Sequence, residues 1–268
     1  MPDPRRIAVL IGMPLAALAL AACGSDTEPA ASSSSSSSGG SAAPASGNLT
    51  VFAAASLQES FTTIGKNFEA AHPGSTVTFS FGPSSGLATQ IINGSPADVF
   101  AAASDKTMAT VTDARAAGTA QLFATNSMEI AVPPDNPAKI DSLDDLTAKD
   151  VKLAVCQEDV PCGAAATKVF DTAKLTVEPV SLEVDVKAVL TKVELGEVDA
   201  GIVYVTDVKA AGSKVAGVEI PADQNATTNY PIAALTEASN PELADAFVDF
   251  VLDAESQKIL QAQGFVGP

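Results

Sequence analysis

The chain has 268 residues, a formal net charge of −17 at pH 7, three cysteines and a single histidine. The acidic charge excludes nucleic-acid binding through phosphate contacts, which requires a surplus of lysine and arginine. With so few cysteines and histidines we expect no bound metal cation, because a zinc site needs about four such ligands, and we expect no cofactor.

Residues 1–22 are predicted to be an export signal. Arg5 and Arg6 precede an apolar run over residues 7–19, which is too short to span a bilayer. The sequence LAAC that ends at Cys23 resembles a bacterial lipobox, which implies cleavage before Cys23 and lipidation of that cysteine. An ordinary secretory cleavage site is the alternative. The expected location is therefore the extracytoplasmic face of the cell membrane, reached through a lipid anchor.

Residues 23–47 are predicted to form a disordered, serine-rich tether. The run GSDTEPAASSSSSSSGGSAAPASG contains no aromatic or branched apolar residue, so it cannot bury enough surface to offset the entropy of ordering. The remaining residues 48–268 suffice for one large domain or for two lobes of about 100 residues each.

The first half of this region alternates between strands and helices. Strand patterns at 49–55, 76–81 and 97–103 are followed by helix patterns at 56–72, about 85–93 and 104–118. Ser104 is a predicted N-cap and Gly118 a predicted helix stop. This βαβαβα order predicts a parallel sheet with helices on both faces.

The second half repeats the alternation after a proline-rich break. Its predicted strands are 127–132, 151–157, 177–183 and 200–207, its predicted helices 162–173 and 184–196, and one more strand and two closing helices follow from residue 228. We therefore predict an α/β fold with lobe 1 at residues 48–128, lobe 2 at residues 129–227, and a return to lobe 1 at residues 228–268.

The sequence Gly82-Pro-Ser-Ser-Gly86 lies between a predicted strand and a predicted helix, as the nucleophile of many hydrolases does. A serine nucleophile needs a base, and in that arrangement the histidine follows the serine. The only histidine, His72, precedes Ser84 at a helix end, where a C-terminal cap is its simplest role. Ser84 is therefore not interpreted as a nucleophile, and we predict that the chain is not an enzyme.

Several predicted strands end in small polar residues where a helix begins. Examples are Ser56, Ser84 and Cys162, and Val186 starts a fourth such helix. The N-terminus of a helix exposes unpaired N–H groups and a partial positive charge, and such ends gather at the carboxyl edge of an open α/β sheet. The serines could simply cap their own helices. Their recurrence without nearby basic residues favours an oxyanion site built from neutral donors.

Five motifs, VFAAASL, FGPSSGLATQI, GSPADVFAAAS, VPCGAAA and AGIVYVTD, resemble in order and spacing the molybdate-binding lipoproteins and periplasmic proteins of ABC importers. The resemblance covers residues 48–268. It implies a two-lobed class II periplasmic-binding-protein fold, in which each lobe is a mostly parallel sheet flanked by helices and a hinge joins the lobes. It also implies capture of molybdate, and usually of tungstate, and delivery to a membrane permease with a cytoplasmic ATPase.

The resemblance also implies a set of ligand-binding residues. Hydroxyl and backbone N–H donors would come from Ser56 and Ser84, backbone N–H donors from Cys162 and Val186, and a phenol hydroxyl from Tyr204. Ser85 is an additional candidate beside Ser84. Two departures from the family are Pro83, which replaces a Ser or Gly, and Cys162, which replaces a commoner alanine.

Cys156 and Cys162 would close a short loop outside the cytoplasm, so we expect a disulfide bond between them. The chain is expected to be a monomer. A receptor for another tetrahedral oxyanion such as sulfate is the main alternative function. A ferric-iron receptor would require a cluster of tyrosines, and Tyr230 is the only tyrosine besides Tyr204. A purely structural lipoprotein would bind no anion at all.

Overall fold

The structure is a computed structural model that describes residues 46–268. The predicted export signal, Cys23 and nearly all of the predicted tether lie outside the described residues. The strands within the described part are β1 (Gly47–Ala54), β2 (Ser75–Gly82), β3 (Val99–Ala101), β4 (Gln121–Val132), β5 (Leu153–Cys156), β6 (Ser181–Glu183), β7 (Ala200–Tyr204), β8 (Ala216–Glu219) and β9 (Thr227–Ala234). The α-helices are α1 (Gln58–Ala71), α2 (Ser84–Ile92), α3 (Asp105–Asp113), α4 (Pro161–Ala173), α5 (Val186–Glu194), α6 (Val205–Ala211), α7 (Pro241–Leu252) and α8 (Ala254–Ala262).

The strands pair in the order β2-β1-β3-β9-β4-β7-β5-β6, and β8 adds to β4. In the first lobe β1 is parallel to β2 and β3, and in the second lobe β5 is parallel to β6 and β7. The antiparallel strands are β4, β8 and β9. The fold is therefore the predicted two-lobed α/β fold, with mixed rather than purely parallel sheets.

Strand β4 passes from one lobe to the other. Its first half, Gln121 to Ser127, pairs with β9, and its second half, from Met128 onward, pairs with β7 and β8. The sequence pattern predicted only the second half. The reason is a register shift between Leu122 and Ala124, which places two consecutive residues in the core and interrupts the alternation expected of a strand.

Each lobe has its own apolar core. In lobe 1, phenylalanines of α1, β4 and α7 pack together, with ring centroids of Phe61 and Phe123 at 5.7 Å and of Phe68 and Phe247 at 5.1 Å. The predicted helix 56–72 has apolar residues at helical spacing, and Leu57, Phe61, Ile64 and Phe68 are all fully buried. The core of lobe 2 is mainly aliphatic, with residues such as Val189 from α5 packed against β5 and β7. Lobe 1 has a second apolar cluster, which includes Leu87 and Phe100. Largely separate cores allow the lobes to act as separate bodies around their connecting strands.

Several local predictions can be checked against the helix ends. Ser104 caps α3 as predicted, since its side chain accepts the N–H of Thr107. His72 caps α1 as predicted, and its ring stacks on Phe68. The predicted stop at Gly118 is wrong: α3 ends at Asp113, and Arg115 follows in the left-handed region with φ 59°.

Helix α6 and strand β8 are absent from the sequence-based prediction. Helix α6 starts at Val205, directly after β7, and the continuous pattern VYVTD gives no sign of that change. Within residues 46–268, every helix is too short or too polar to cross a bilayer.

Candidate oxyanion-binding site

A small cavity lies between the lobes, where strand ends and helix starts from both of them meet. The cavity volume is about 20 Å³, counted as the space that the centre of a water molecule can occupy. A cavity of this size suits a compact ion rather than a sugar or a peptide. Its walls include all five predicted principal ligand residues: Ser56, Ser84, Cys162, Val186 and Tyr204. Ser85 does not line it.

Ser56 is presented by a short 3-10 turn, Ala55–Leu57, between β1 and α1. Its hydroxyl lies 2.8 Å from the Tyr230 hydroxyl, and both side chains are buried. Because β9 carries Tyr230, the support for this serine comes from a segment 174 residues further along the chain.

A network of buried polar side chains lies behind Ser56. Asn126 on β4 donates through Nδ2 to the Thr206 hydroxyl at 2.9 Å and, more weakly, to the Tyr230 hydroxyl at 3.5 Å. The orientation of this amide is fixed, since its Oδ1 accepts the N–H of Ser127. Tyr230 accepts from Asn126, so its own proton is available for the Ser56 oxygen. With Tyr230 as the donor of that pair, the Ser56 proton can point to a ligand.

Ser84 is the first residue of α2, and Pro83 occupies the N-cap position without a side-chain hydrogen bond. The Ser84 hydroxyl oxygen accepts the backbone N–H of Ala103 at 3.1 Å. The oxygen is thus engaged, and the proton is free to point at a ligand. Ser85 is only half-buried, so the two neighbouring serines differ in their access to the cavity.

Cys162 lies in the first turn of α4, where helix N–H groups have no partner within the helix. A disulfide bond joins it to Cys156, with a Cα–Cα distance of 5.7 Å. The loop between the two cysteines packs closely on the helix start: a Cβ atom on Gly163 would collide with the Gln157 carbonyl oxygen. Only glycine fits there, and the position of the Cys162 N–H is correspondingly fixed.

Val186 is the first residue of α5, and it is almost fully buried. The preceding residue, Asp185, caps the helix by accepting the N–H of Ala188 at 2.9 Å. The N–H of Val186 itself is left without a helical partner. Asp185 also borders the cavity, but its carboxylate is engaged by its own helix.

Tyr204 ends β7 and is only 1% exposed. Its hydroxyl makes no hydrogen bond of normal geometry within residues 46–268, although the Tyr230 and Thr228 side chains lie beside it, and a buried, unpaired hydroxyl costs about 1–3 kcal/mol. Burial raises the pKa of Tyr204 well above its ordinary value of 10. The phenol therefore stays protonated at neutral pH and can donate a hydrogen bond to an anion.

The cavity is thus a set of neutral donors. Hydroxyl protons come from three side chains and unpaired N–H groups from three helix starts, while lysine and arginine are absent from the described residues that line it. Such a site can bind a small anion whose oxygens only accept hydrogen bonds.

Two supporting residues, Tyr230 and Asn126, were missed by the sequence reasoning, which considered Tyr230 only as an iron ligand. The available signal is weak: each is a polar side chain at a buried position of a strand, and Asn126 lies between two half-buried residues. Their contacts to Ser56 and Thr206 span 80 residues or more, and no local pattern reports contacts at that distance.

The sequence profile of the bacterial extracellular solute-binding protein family matches residues 49–266. The molybdate-binding protein ModA of Mycobacterium tuberculosis is 44% identical over 222 residues, which are 82% of this chain and 85% of that protein. ModA of Escherichia coli is 34% identical over 233 residues, 82% of this chain and 89% of that protein.

Among solved structures, the periplasmic molybdate-binding protein of Azotobacter vinelandii has a TM-score of 0.74 at 20% identity, covering 82% of this chain and 99% of that one. The sulfate-binding protein SubI of Mycobacterium tuberculosis has a TM-score of 0.68 at 19% identity, covering 82% and 86%. At these identities the likeness concerns the fold alone. From the sequence matches, the chain belongs to the bacterial extracellular solute-binding protein family, among the ModA molybdate-binding proteins.

Proposed function

We propose that this protein is the substrate-binding component of an ABC importer and captures molybdate, together with tungstate, in the cavity between its lobes. The observation that carries the proposal is the convergence of neutral donors from both lobes on one small cavity, in a chain 44% identical to a protein named molybdate-binding. It is a binding protein and not an enzyme. Sulfate is the less supported alternative, since the sulfate-binding neighbour shares only the fold.

The protein captures the ion by replacing its hydration water with hydrogen-bond donors that the fold holds in place. Ser56 and Ser84 would donate from the lobe predicted as residues 48–128 and 228–268, and Cys162, Val186 and Tyr204 from the lobe predicted as residues 129–227. An ion that contacts both lobes stabilises the closed arrangement over the open one.

Selection among anions follows from the polarity of these donors. A fully ionised oxyanion has only acceptor oxygens, and each of them can take an N–H or O–H from the cavity wall. Phosphate near neutral pH carries a proton that needs an acceptor, and leaving that proton unpaired is costly. Among residues 46–268 Asp185 is the one carboxylate that borders the cavity, and its Oδ1 accepts the Ala188 N–H of its own helix. Sulfate has the charge and polarity of molybdate but is smaller, so it would be excluded by fit.

The protein works outside the cytoplasm with a membrane permease and its ATPase. We further propose that Cys23 is lipidated, that residues 23–47 hold the domain away from the membrane, and that the protein is monomeric. Replacement of Cys23 by alanine should move the protein from the membrane fraction to the medium or periplasm. Retention of the Cys23→Ala variant in washed membranes would contradict the anchor.

Thermal unfolding tests the function itself. The chain, produced without its predicted signal, is unfolded with molybdate, tungstate, sulfate, phosphate or chloride at matched ionic strength. Ligand at a hundred times its Kd adds about 2.7 kcal/mol to the native state, which raises the Tm by several degrees at this size. A rise with molybdate and tungstate alone supports the proposal. A larger rise with sulfate would change the substrate, and no rise with any anion would contradict it.

A further inference from the structure

A charged cluster crosses the cleft beside the cavity, without lining it. Lys187 Nζ lies 2.8 Å and 2.9 Å from the two carboxylate oxygens of Glu59, and 3.1 Å from Asp207 Oδ1. Glu59 belongs to α1 in lobe 1, whereas Lys187 and Asp207 belong to α5 and α6 in lobe 2. Among the ion pairs of residues 46–268, only Lys187–Glu59 joins the two lobes.

Each member of this cluster is close in sequence to a donor of the cavity. Glu59 comes three residues after Ser56, and Lys187 directly follows Val186. Asp207 comes three residues after Tyr204 and accepts its backbone N–H at 3.1 Å. The cluster therefore connects the segments that present three of the donors, two in lobe 2 and one in lobe 1.

Asp207 and Glu59 differ in whether their contact with Lys187 depends on closure of the cleft. Asp207 is fully buried; burial raises its pKa to about 6, and the charge of Lys187 opposes that rise. Both groups lie in lobe 2, so this pair persists whether the cleft is open or closed. The Glu59 side chain is 38% exposed and meets Lys187 only where the lobes meet, so opening of the cleft would return it to water.

Lys187 is also unsuited to attract the anion directly. Burial lowers its pKa, but the carboxylates of Asp207 and Glu59 outweigh burial and raise it. The lysine is therefore charged, yet two carboxylates share that charge and give the cluster a formal charge of about −1 at neutral pH. Its contribution must come from holding the lobes together.

We propose that Glu59 is a latch that engages Lys187 when the cleft closes and slows release of the bound oxyanion, while Asp207 holds Lys187 in place. The three are positioning residues, and the inference rests on the proposed function of the cavity. Because the latch forms after the ligand has entered, its removal should change the dissociation rate more than the association rate.

The chain provides a suitable spectroscopic signal for this test. It has no tryptophan and two tyrosines, and both tyrosines lie at or directly behind the cavity. Stopped-flow tyrosine fluorescence can therefore follow molybdate binding and release in the wild type, in Glu59→Gln and in a control, Glu194→Gln. Glu194 borders the same surface pocket as Glu59, and it pairs with Lys214 at 3.4 Å within lobe 2. Glu194→Gln therefore removes the same charge without removing a contact between the lobes.

Glu59→Gln should release molybdate about fivefold faster than the wild type, as expected for loss of a partly exposed ion pair, with an association rate within about twofold. Glu194→Gln should release it at the wild-type rate, and both ligand-free variants should keep the wild-type Tm. Equal release rates for Glu59→Gln and the wild type would contradict the role of Glu59 as a latch, and so would equal acceleration in both variants. Neither result would contradict the proposed function of the cavity. A wild type that binds no molybdate would instead overturn the proposed function.

Discussion

The two lobes contribute to the same cavity by different chemistry. Lobe 1 offers the side-chain hydroxyls of Ser56 and Ser84, and each hydroxyl oxygen has a buried partner, the Tyr230 hydroxyl or the Ala103 N–H. It adds the backbone N–H at the start of α2. Lobe 2 offers mainly backbone N–H groups, at the starts of α4 and α5, and among its described lining residues Tyr204 is the one side-chain donor. Side-chain donors can be deleted by mutation and backbone donors cannot, so the lobes should differ in their sensitivity to substitution.

The largest effect is expected from Ser84→Ala. The change removes a donor to a charged ligand, so we expect molybdate affinity to fall by about 2–3 kcal/mol, roughly 30- to 150-fold. It also leaves the buried Ala103 N–H without its acceptor, which lowers the stability of the free and the bound protein alike. Isothermal titration calorimetry measures the change in affinity. The matched control is Ser85→Ala, one residue away but outside the cavity wall, which should bind like the wild type. Equal losses in both variants would contradict the assignment of Ser84.

Removal of the disulfide tests whether the backbone donors of lobe 2 tolerate a change of side chain. The double variant Cys156→Ala, Cys162→Ala should lower the free energy of unfolding by about 2 kcal/mol, the loop-closure contribution of so short a loop. Its molybdate affinity should fall less than about threefold, because the donor at residue 162 is the backbone N–H and the loop still packs on Gly163. Denaturant unfolding and calorimetry measure the two quantities. A loss of affinity as large as that of Ser84→Ala would show that lobe 2 also depends on side-chain identity.

Tyr204→Phe should affect binding but not the stability of the ligand-free protein. Loss of the phenol hydroxyl should weaken molybdate binding by about 1.5 kcal/mol. The ligand-free protein should unfold like the wild type, because the hydroxyl has no protein hydrogen bond to lose and an open cleft exposes it to water. Tyr230→Phe is the control: its hydroxyl is paired with Ser56, so both affinity and ligand-free stability should fall. Thermal unfolding with and without molybdate separates the two cases. A ligand-free Tyr204→Phe protein that is less stable than the wild type would contradict the assignment.

The smallest effect concerns a carboxylate pair in lobe 2, away from the cavity. Glu129 on β4 lies opposite Glu219 on β8, and burial, followed by repulsion from Glu219, raises the pKa of Glu129 from 4.5 to about 7. Between pH 4.5 and 7 the native state holds a proton that the unfolded chain has lost, so stability from this group falls as the pH rises through that window.

Glu129→Gln should therefore be about 1 kcal/mol more stable than the wild type at pH 8, after allowance for the partial exposure of the carboxylate, and equal to it at pH 4. Denaturant unfolding at the two pH values gives this difference. Molybdate affinity should be unchanged, since the pair does not border the cavity. A stability difference that is the same at both pH values would exclude titration of Glu129 as its cause.

Sequence patterns predict the structure best where the controlling interactions are local. The apolar face of α1, the cap at Ser104 and the strand-to-helix transitions at Ser56, Ser84 and Cys162 all depend on residues within one or two turns, and their patterns are readable in the chain. The register shift in β4 and the immediate start of α6 after Tyr204 interrupt such patterns, and the sequence reasoning missed both.

The supporting contacts were not predictable for a different reason. Tyr230 supports Ser56 from 174 residues away, and Lys187 meets Glu59 from 128 residues away. Nothing near any of these residues indicates a partner, because folding of the whole chain brings them together. The donors themselves could be inferred from strand ends and family resemblance, whereas the residues that hold the donors and the lobes required the structure.

The measurement that tests the central claim most directly is a calorimetric titration of the wild-type protein with molybdate, sulfate and phosphate in the same buffer at neutral pH. A cavity of neutral donors from both lobes predicts one molybdate per chain, much weaker binding of sulfate because of its size, and no detectable binding of phosphate because of its proton. Binding of phosphate as tightly as molybdate would require an acceptor in the cavity and would contradict the account.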